Sequence, residues 1–183
     1  MGKTYDAIDQ QLADFIQAQH VFFVATAPAA TDGHVNVSPK GLDSFRILDP
    51  RTVAYLDLTG SGVETIAHLR DNGRITLLFC AFEGPPKIVR LSGGGTVLQA
   101  HHPSFDELVA QFPRRTGTRA VIRIAVDRIA DSCGYGVPRY RYEGDRPQLL
   151  EWAERKGGEG IAAYQREKNV HSIDGMPGLE TTD

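Results

Sequence analysis

The chain is 183 residues long, a length typical of one domain or of one domain with a short appendage, so two full enzyme domains are excluded. Its 20 Lys and Arg residues nearly balance its 23 Asp and Glu residues, and the formal net charge is −3. A general nucleic-acid-binding protein normally carries a clear basic excess, which disfavours that class. With 41% hydrophobic residues, the sequence predicts a folded globular protein rather than a disordered chain.

The two cysteines, Cys80 and Cys133, lie far apart and in no metal-like spacing, so we expect neither a disulfide framework nor a metal site. The N-terminal sequence MGKTYDAIDQQLADFI has polar and acidic residues where a signal peptide has its apolar core. No later run reaches the roughly 20 apolar residues of a membrane span. We therefore expect a cytoplasmic protein that contacts no membrane.

In the first half of the chain, a helix is expected over residues 6–19, because apolar residues recur there at spacings of three and four. Runs of β-branched and aromatic residues then predict strands over residues 21–26, 34–38 and 52–58. Pro39 is expected to end the second of these strands. A second helix is expected to end at Asn72, with Gly73 in the C-cap position.

In the second half, strands are expected over residues 74–82, 87–92, 96–99 and 120–126. Three consecutive glycines, residues 93–95, predict a bulge or a sharp bend in the middle of this series. Shorter helical patterns cover residues 103–112, 149–155 and 161–168. If the runs on either side of residues 93–95 belong to one strand, the pattern gives about six strands. Their short connections favour antiparallel pairing, and the Gly-rich corners favour a barrel.

The segment TGSGVET, residues 59–65, lies between a predicted strand and a predicted helix. Glycines let backbone N–H groups approach a ligand, and a helix N-terminus suits a phosphate. The alternative is a capping box, in which Ser61 and Glu64 satisfy those N–H groups internally. Spacing alone favours the cap, and Glu64 would repel a phosphate.

A second candidate is NVSPKG, residues 36–41, where a strand ends in polar side chains and Lys40 stands at the rim. The alternative is an edge strand that Pro39 and Lys40 protect from pairing with another chain. If the two segments lie side by side, Lys40 can supply the positive charge that Glu64 withholds. By contrast, Lys87 and Arg90 fit the solvated face of a strand, and Cys133 fits a buried small residue.

The order of these segments resembles the pyridoxamine 5′-phosphate oxidase-like family of FMN-binding split barrels. The resemblance covers residues 8–128 and rests on the order and spacing of FFVATA, DGHVNVSPKG, DPRTVAYLDLTGSG, NGRITLLFCAF and KIVRLSGGGTVL. It implies a mainly β (α+β) fold, a six-stranded antiparallel split β-barrel with flanking helices. Residues 1–147 are then the FMN-binding domain, and residues 148–183 a C-terminal helical and loop extension packed on the same domain.

The resemblance also implies cofactor-binding residues. Asn36, Val37, Ser38 and Lys40 fall on the strand that lines the flavin ring in that family, with Lys40 near the reactive face. Leu58 and Thr59 fall where a strand end contacts the flavin. Glu64 and Thr65 stand where the oxidases proper have a basic pair for the FMN phosphate. This departure leaves Ser61, Gly62 and Thr65 as donors, with Lys40, Arg90 or an arginine of a partner subunit to balance the charge.

By this resemblance we expect a homodimer with FMN at the subunit interface. The protein is then an oxidoreductase that acts on a small molecule other than pyridoxamine phosphate, because the C-terminal Arg and His segment of the true oxidases has no counterpart here. One alternative is a non-catalytic flavin-binding or redox-sensing module. Another is a site that holds haem or a deazaflavin in place of FMN.

Overall fold

A computed structural model describes residues 2–180 of the chain. Within this range the strands are β1 (Thr4–Tyr5), β2 (Phe22–Thr26), β3 (Asn36–Lys40), β4 (Phe45–Asp49), β5 (Thr52–Leu58), β6 (Arg74–Cys80), β7 (Ile88–Leu98) and β8 (Thr118–Ser132). The helices are α1 (Gln10–Gln17), α2 (Glu64–Asn72), α3 (Phe105–Val109) and α4 (Gln148–Lys168). None of these helices is long and apolar enough to cross a membrane.

The strands form one antiparallel sheet in the order β3-β2-β6-β7-β8-β5-β4, and β1 pairs with β8. The predicted class, a mainly β antiparallel split barrel with flanking helices, is confirmed. The count of six strands was too low, because β1 and β4 were missed. β1 has only two residues, and β4 alternates poorly between apolar and polar residues, so its pairing with β5 shows only in three dimensions.

β3 is an edge strand, since β2 is its only strand partner in the part of the chain that the structure describes. It runs from Asn36 to Lys40, so the expectation that Pro39 ends the strand was wrong. Proline has no N–H to donate, which an edge strand tolerates because one side of its backbone has no neighbouring strand. The edge position keeps the end of β3 open to solvent and to ligands.

β7 is a single strand that bends at its glycines. Its register against β8 shifts between Ser92 and Gly93, which confirms the predicted bulge. A Cβ atom at Gly93 would lie 2.0 Å from the Ala125 carbonyl oxygen, so only glycine allows β7 and β8 to approach so closely here. Beyond the bend, β8 continues to Ser132, six residues past its predicted end, because β1 and the first half of β7 pair with it.

The main core lies between the sheet and the helices α1 and α2. Leu12 and Ile16 of α1 are almost fully buried, as the spacing predicted, and Asp9 begins the helix by accepting a hydrogen bond from the Leu12 N–H at 2.8 Å. Core side chains of the strands include Val24, Val53, Leu77, Leu91 and Ile122. Burial of this apolar surface is the main stabilising contribution to the barrel.

The sequence predicted the residues at both ends of α2, and the structure confirms one of these two predictions. Gly73 has a φ of 71° and lies at the C-cap, as predicted. The capping box was wrong, because Val63 is the N-cap residue and no side chain caps the helix. The helix begins two residues too late for Ser61 to be its N-cap, so the Ser61 hydroxyl does not bind the first N–H groups.

The C-terminal segment contacts the barrel beside α2. α4 merges the two predicted helical stretches and is kinked at Gly157, whose φ is 64°. Gln165 Nε2 donates to Thr59 Oγ1 at 2.7 Å, and Asn169 Nδ2 donates to the Gly60 carbonyl oxygen at 3.0 Å. α3 is shorter than predicted and covers the second apolar cluster, around Leu98 and Leu108. The division into residues 1–147 and 148–183 stays a prediction.

Candidate functional site

A pocket of about 390 Å³ lies between the end of β3, the end of β5 and the start of α2. Ligand sites of proteins commonly have volumes of this order. Eight of the ten predicted cofactor-binding residues line it: Asn36, Ser38, Lys40, Leu58, Thr59, Ser61, Gly62 and Thr65. The two sequence segments that looked inconclusive separately, residues 36–41 and 59–65, thus lie side by side and line one pocket.

The other two predicted residues lie elsewhere. Val37 is 62% exposed, because side chains alternate along a strand and its neighbours Asn36 and Ser38 face the pocket. Arg90 lies on β7, where its Nη1 donates to Ser132 Oγ at 3.0 Å. Within this chain, neither side chain contributes to the pocket.

Two hydroxyl groups of the pocket wall have no hydrogen-bond partner among residues 2–180. These are Ser38 Oγ and Ser44 Oγ, and both oxygen atoms are shielded from solvent. Ser44 as a whole is only 5% exposed. Buried polar groups in native proteins are almost always hydrogen-bonded, and leaving one unpaired costs about 1–3 kcal/mol. A polar group that reaches this wall, from a water molecule or from a ligand, would supply the missing hydrogen-bond partner.

Behind the pocket lies a buried carboxylate, Asp57, which is fully shielded from solvent. Arg119 Nε donates to its Oδ2 at 2.6 Å, and Lys40 Nζ lies 3.3 Å from its Oδ1. Burial on its own raises the pKa of Asp57, but the charges and hydrogen bonds of Arg119 and Lys40 outweigh it and hold this pKa below its ordinary value. Asp57 stays ionised and fixes both cations at the pocket wall.

Arg119 connects this ion cluster to the glycine loop, residues 59–63. Its Nη1 donates to the Gly62 carbonyl oxygen at 2.7 Å and to Asn169 Oδ1 at 3.0 Å. The guanidinium group therefore holds the loop, the sheet and the C-terminal segment together. Because its donors point at fixed acceptors, the shape of the loop is set before a ligand arrives.

A chain of polar side chains leads from the pocket into the core. Asn36 Nδ2 donates to Thr65 Oγ1 at 3.0 Å, and it also contacts Thr26 Oγ1 at 3.4 Å. Thr26 Oγ1 lies 2.9 Å from Nδ1 of His68, a fully buried residue whose pKa is lowered by its burial. These contacts orient Asn36, so its carboxamide presents one fixed face to the pocket.

The turn between β3 and β4 brings Ser44 to the pocket. Leu42 and Asp43 both have positive φ angles, 62° and 53°, which non-glycine residues rarely adopt. Leu42 lines the pocket, and the strained turn lets Ser44 face the same cavity as Ser38. Such strain is concentrated at functional sites in proteins.

Sequence reasoning missed Ser44, Asp57 and Arg119. A signal existed for the last two, since Asp57 interrupts an apolar strand and Arg119 is the second residue of another. A charged residue in a buried strand needs a partner. No sequence rule pairs two such residues across a sheet. Ser44 carried no signal, because its position depends on the strained turn.

The comparisons with known proteins agree with this architecture. Residues 8–133, well over half of the chain, match the family model described as pyridoxamine 5′-phosphate oxidase. The chain belongs to the pyridoxamine 5′-phosphate oxidase family. A relative in Aspergillus flavus, the pyridoxamine 5′-phosphate oxidase family protein ustO, is 40% identical over 194 residues, which cover 97% of this chain and 78% of that protein.

Two solved structures extend the comparison for this family member. The Group A Streptococcus protein HupZ superposes with a TM-score of 0.56 at 29% identity, covering 68% of this chain and 99% of that chain. A Lactobacillus delbrueckii protein described under the family's name gives a TM-score of 0.55 at 19% identity, covering 69% of this chain and 98% of that one. The second likeness, at 19% identity, shows the fold alone.

Proposed function

We propose that this chain is a flavoprotein whose flavin lies in the pocket between β3, β5 and α2. The observation that carries the proposal is the pair of unpartnered hydroxyls, Ser38 Oγ and Ser44 Oγ, beside Lys40. The polar edge of a flavin ring offers carbonyl and nitrogen atoms that hydroxyl and ammonium groups can bind. Membership of the pyridoxamine 5′-phosphate oxidase family supports the same ligand class.

The residues of the pocket fit the ring better than they fit a phosphate. Ser38, Ser44, Lys40 and the oriented Asn36 would hold the polar edge of the ring, and Leu58 supplies apolar contact. FMN is the flavin that the family resemblance implies. At the glycine loop, however, a carboxylate, Glu64, stands where the resemblance calls for basic side chains.

A bound flavin supplies electron and hydride transfer, which no side chain of the chain can provide. The chain contributes orientation and charge. Lys40 lies at the pocket wall with its Nζ 3.3 Å from Asp57 Oδ1, and this contact orients its ammonium group as a hydrogen-bond donor toward the ring. Asn36 and the two serines set the direction of the hydrogen bonds. These features support an oxidoreductase rather than a simple carrier.

The proposed substrate is a small molecule other than pyridoxamine phosphate. The C-terminal segment carries Gln165 and Asn169 to the glycine loop, where their side chains are engaged by the loop and by Arg119. It presents no cluster of Arg and His to the pocket among the residues that the structure describes. A phosphate-bearing substrate would lack its usual partners on this side.

We further propose a cytoplasmic homodimer with the flavin sites at its interface. Val35 lies just before the edge strand β3 and is 70% exposed, and Val37 lies within β3 and is 62% exposed. Exposed apolar side chains beside a ligand pocket suit contact with another protein surface. A second copy placed there would shield the open side of the pocket from water.

Titration with FMN and with riboflavin tests the site. Lys40→Ala and Thr65→Val are each expected to weaken binding of the flavin that the wild type binds by about tenfold, or about 1.4 kcal/mol. Lys168→Ala, a change at an exposed lysine of α4, is the control and leaves the affinity unchanged. If neither pocket variant weakens binding, the flavin lies elsewhere on the molecule.

A further inference from the structure

Glu64, the first residue of α2, turns its carboxylate back onto the glycine loop. A Cβ atom at Gly62 would lie 2.2 Å from Glu64 Oε2, so the carboxylate rests directly against the Gly62 backbone. The Ile173 N–H holds it there by donating to Oε1 at 3.3 Å. Glu64 forms no ion pair with any of residues 2–180, so its negative charge is not neutralised locally.

The charges around the pocket cancel. Its wall carries two cations, Lys40 and Arg119, and both contact the buried carboxylate Asp57. Glu64 adds a second negative charge at the loop. Among residues 2–180, these two positive and two negative charges leave no cation of the pocket free for a phosphate ester, which carries about −1.5 to −2 at neutral pH.

The start of α2 offers hydrogen-bond donors without attracting an anion. No side chain of residues 2–180 caps the helix, so the N–H groups of its first turn have no side-chain acceptor there. A helix N-terminus normally favours an anion, but here the Glu64 carboxylate already lies within the first turn and satisfies that preference. A hydroxyl or carbonyl group can still use the donors, whereas a second anion meets like charge.

We propose that Glu64 makes the loop end of the pocket select an uncharged group, so that the protein binds a flavin without a terminal phosphate, of the riboflavin class, in preference to its phosphate ester. This inference rests on the proposed flavin-binding function. It departs from the FMN expectation at one position, Glu64, and leaves the ring-binding wall of Ser38, Lys40 and Ser44 unchanged.

Riboflavin and FMN are suitable probes because they differ only in the phosphate. Both are titrated by fluorescence quenching against the wild type, Glu64→Gln and the control Glu83→Gln, an isosteric change at an exposed residue outside the pocket. The wild type and Glu83→Gln are expected to bind riboflavin at least as tightly as FMN. Glu64→Gln is expected to tighten FMN binding by about tenfold and to change riboflavin binding by less than about twofold.

Two results would separate failure of the inference from failure of the proposed function. Wild-type protein that binds FMN more than about tenfold tighter than riboflavin, with a ratio that Glu64→Gln does not change, overturns the inference and supports a cation from elsewhere, such as a second copy. Protein that binds neither flavin contradicts the proposed function instead.

If the protein binds neither flavin, a measurement without flavin still tests the role of Glu64. Millimolar inorganic phosphate is expected to raise the thermal midpoint of Glu64→Lys but not that of the wild type, because the reversed charge gives the loop the missing cation. Equal shifts in both proteins would overturn the selectivity assigned to Glu64.

Discussion

Ser44 is a residue whose arrangement is unfavourable for the free protein. Its hydroxyl is buried without a partner among residues 2–180, and it is held there by two neighbouring residues, Leu42 and Asp43, with positive φ angles. Both features are unfavourable for folding. A group that binds the hydroxyl would recover part of this energy, which gives Ser44 opposite effects on stability and on binding.

Replacing Ser44 by Ala is therefore expected to keep or raise the thermal midpoint of the ligand-free protein, because the unpaired hydroxyl disappears. The same change is expected to weaken flavin binding by roughly two- to tenfold, the value of one neutral hydrogen bond. Differential scanning fluorimetry and flavin titration measure the two quantities. Ser104→Ala, at a serine whose side chain makes no capping bond, is the control. A Ser44→Ala protein that is less stable yet binds flavin normally would contradict this role.

At the scale of elements, the close contact between β7 and β8 shapes the barrel. Gly93→Ala would place a Cβ atom 2.0 Å from the Ala125 carbonyl oxygen, and this backbone atom cannot move aside alone. We expect a loss of about 1–3 kcal/mol in the free energy of unfolding, measured by urea denaturation. Gly94→Ala is the matched control, since a Cβ there meets nothing within 4 Å. Equal effects of the two changes would show that the strands are not in close contact at Gly93.

A second element-scale contact joins the loop before β3 to the C-terminal segment. His34 Nδ1 lies 2.6 Å from Asp174 Oδ1, and the His34 N–H donates to Asp174 Oδ2 at 2.8 Å. The hydrogen bond and the charge of Asp174 raise the pKa of His34 above its ordinary value of 6.5. A raised pKa means that the contribution of this pair is complete below pH 6.5 and is lost as the pH rises through the higher value.

Hydrogen exchange at residues 170–176, corrected for the intrinsic effect of pH, is thus expected to speed up as the pH rises from about 6 to about 9. His34→Gln should remove most of this pH dependence, because glutamine carries no titrating charge. His171→Gln, at an exposed histidine of the same segment, should retain it. Identical pH dependence in wild type and His34→Gln would show that the pair does not hold the segment.

For the whole molecule, sequence reasoning succeeded where a pattern is local. The helix and strand periods located the core elements, the three glycines of β7 predicted its bend, and Gly73 predicted the end of α2. It also predicted that residues 36–41 and 59–65 could act together, and they form two walls of one pocket. These successes depend on spacing within a few residues along the chain.

The rest depends on contacts between distant segments. Asp57 and Arg119 are 62 residues apart and meet only because β5 and β8 pair, and Ser44 reaches the pocket through a strained turn that no propensity favours. The capping box failed for a similar reason, because Glu64 is held by Ile173 of the C-terminal segment rather than by the backbone of its own helix start. Long-range packing decided which local preference prevailed.

The absorption spectrum of the purified protein tests the central claim most directly. After saturation with flavin and removal of the excess by gel filtration, we expect a yellow protein with the visible bands of an oxidised flavin and one flavin per chain. A haem spectrum, or a colourless protein that retains neither riboflavin nor FMN, would contradict it.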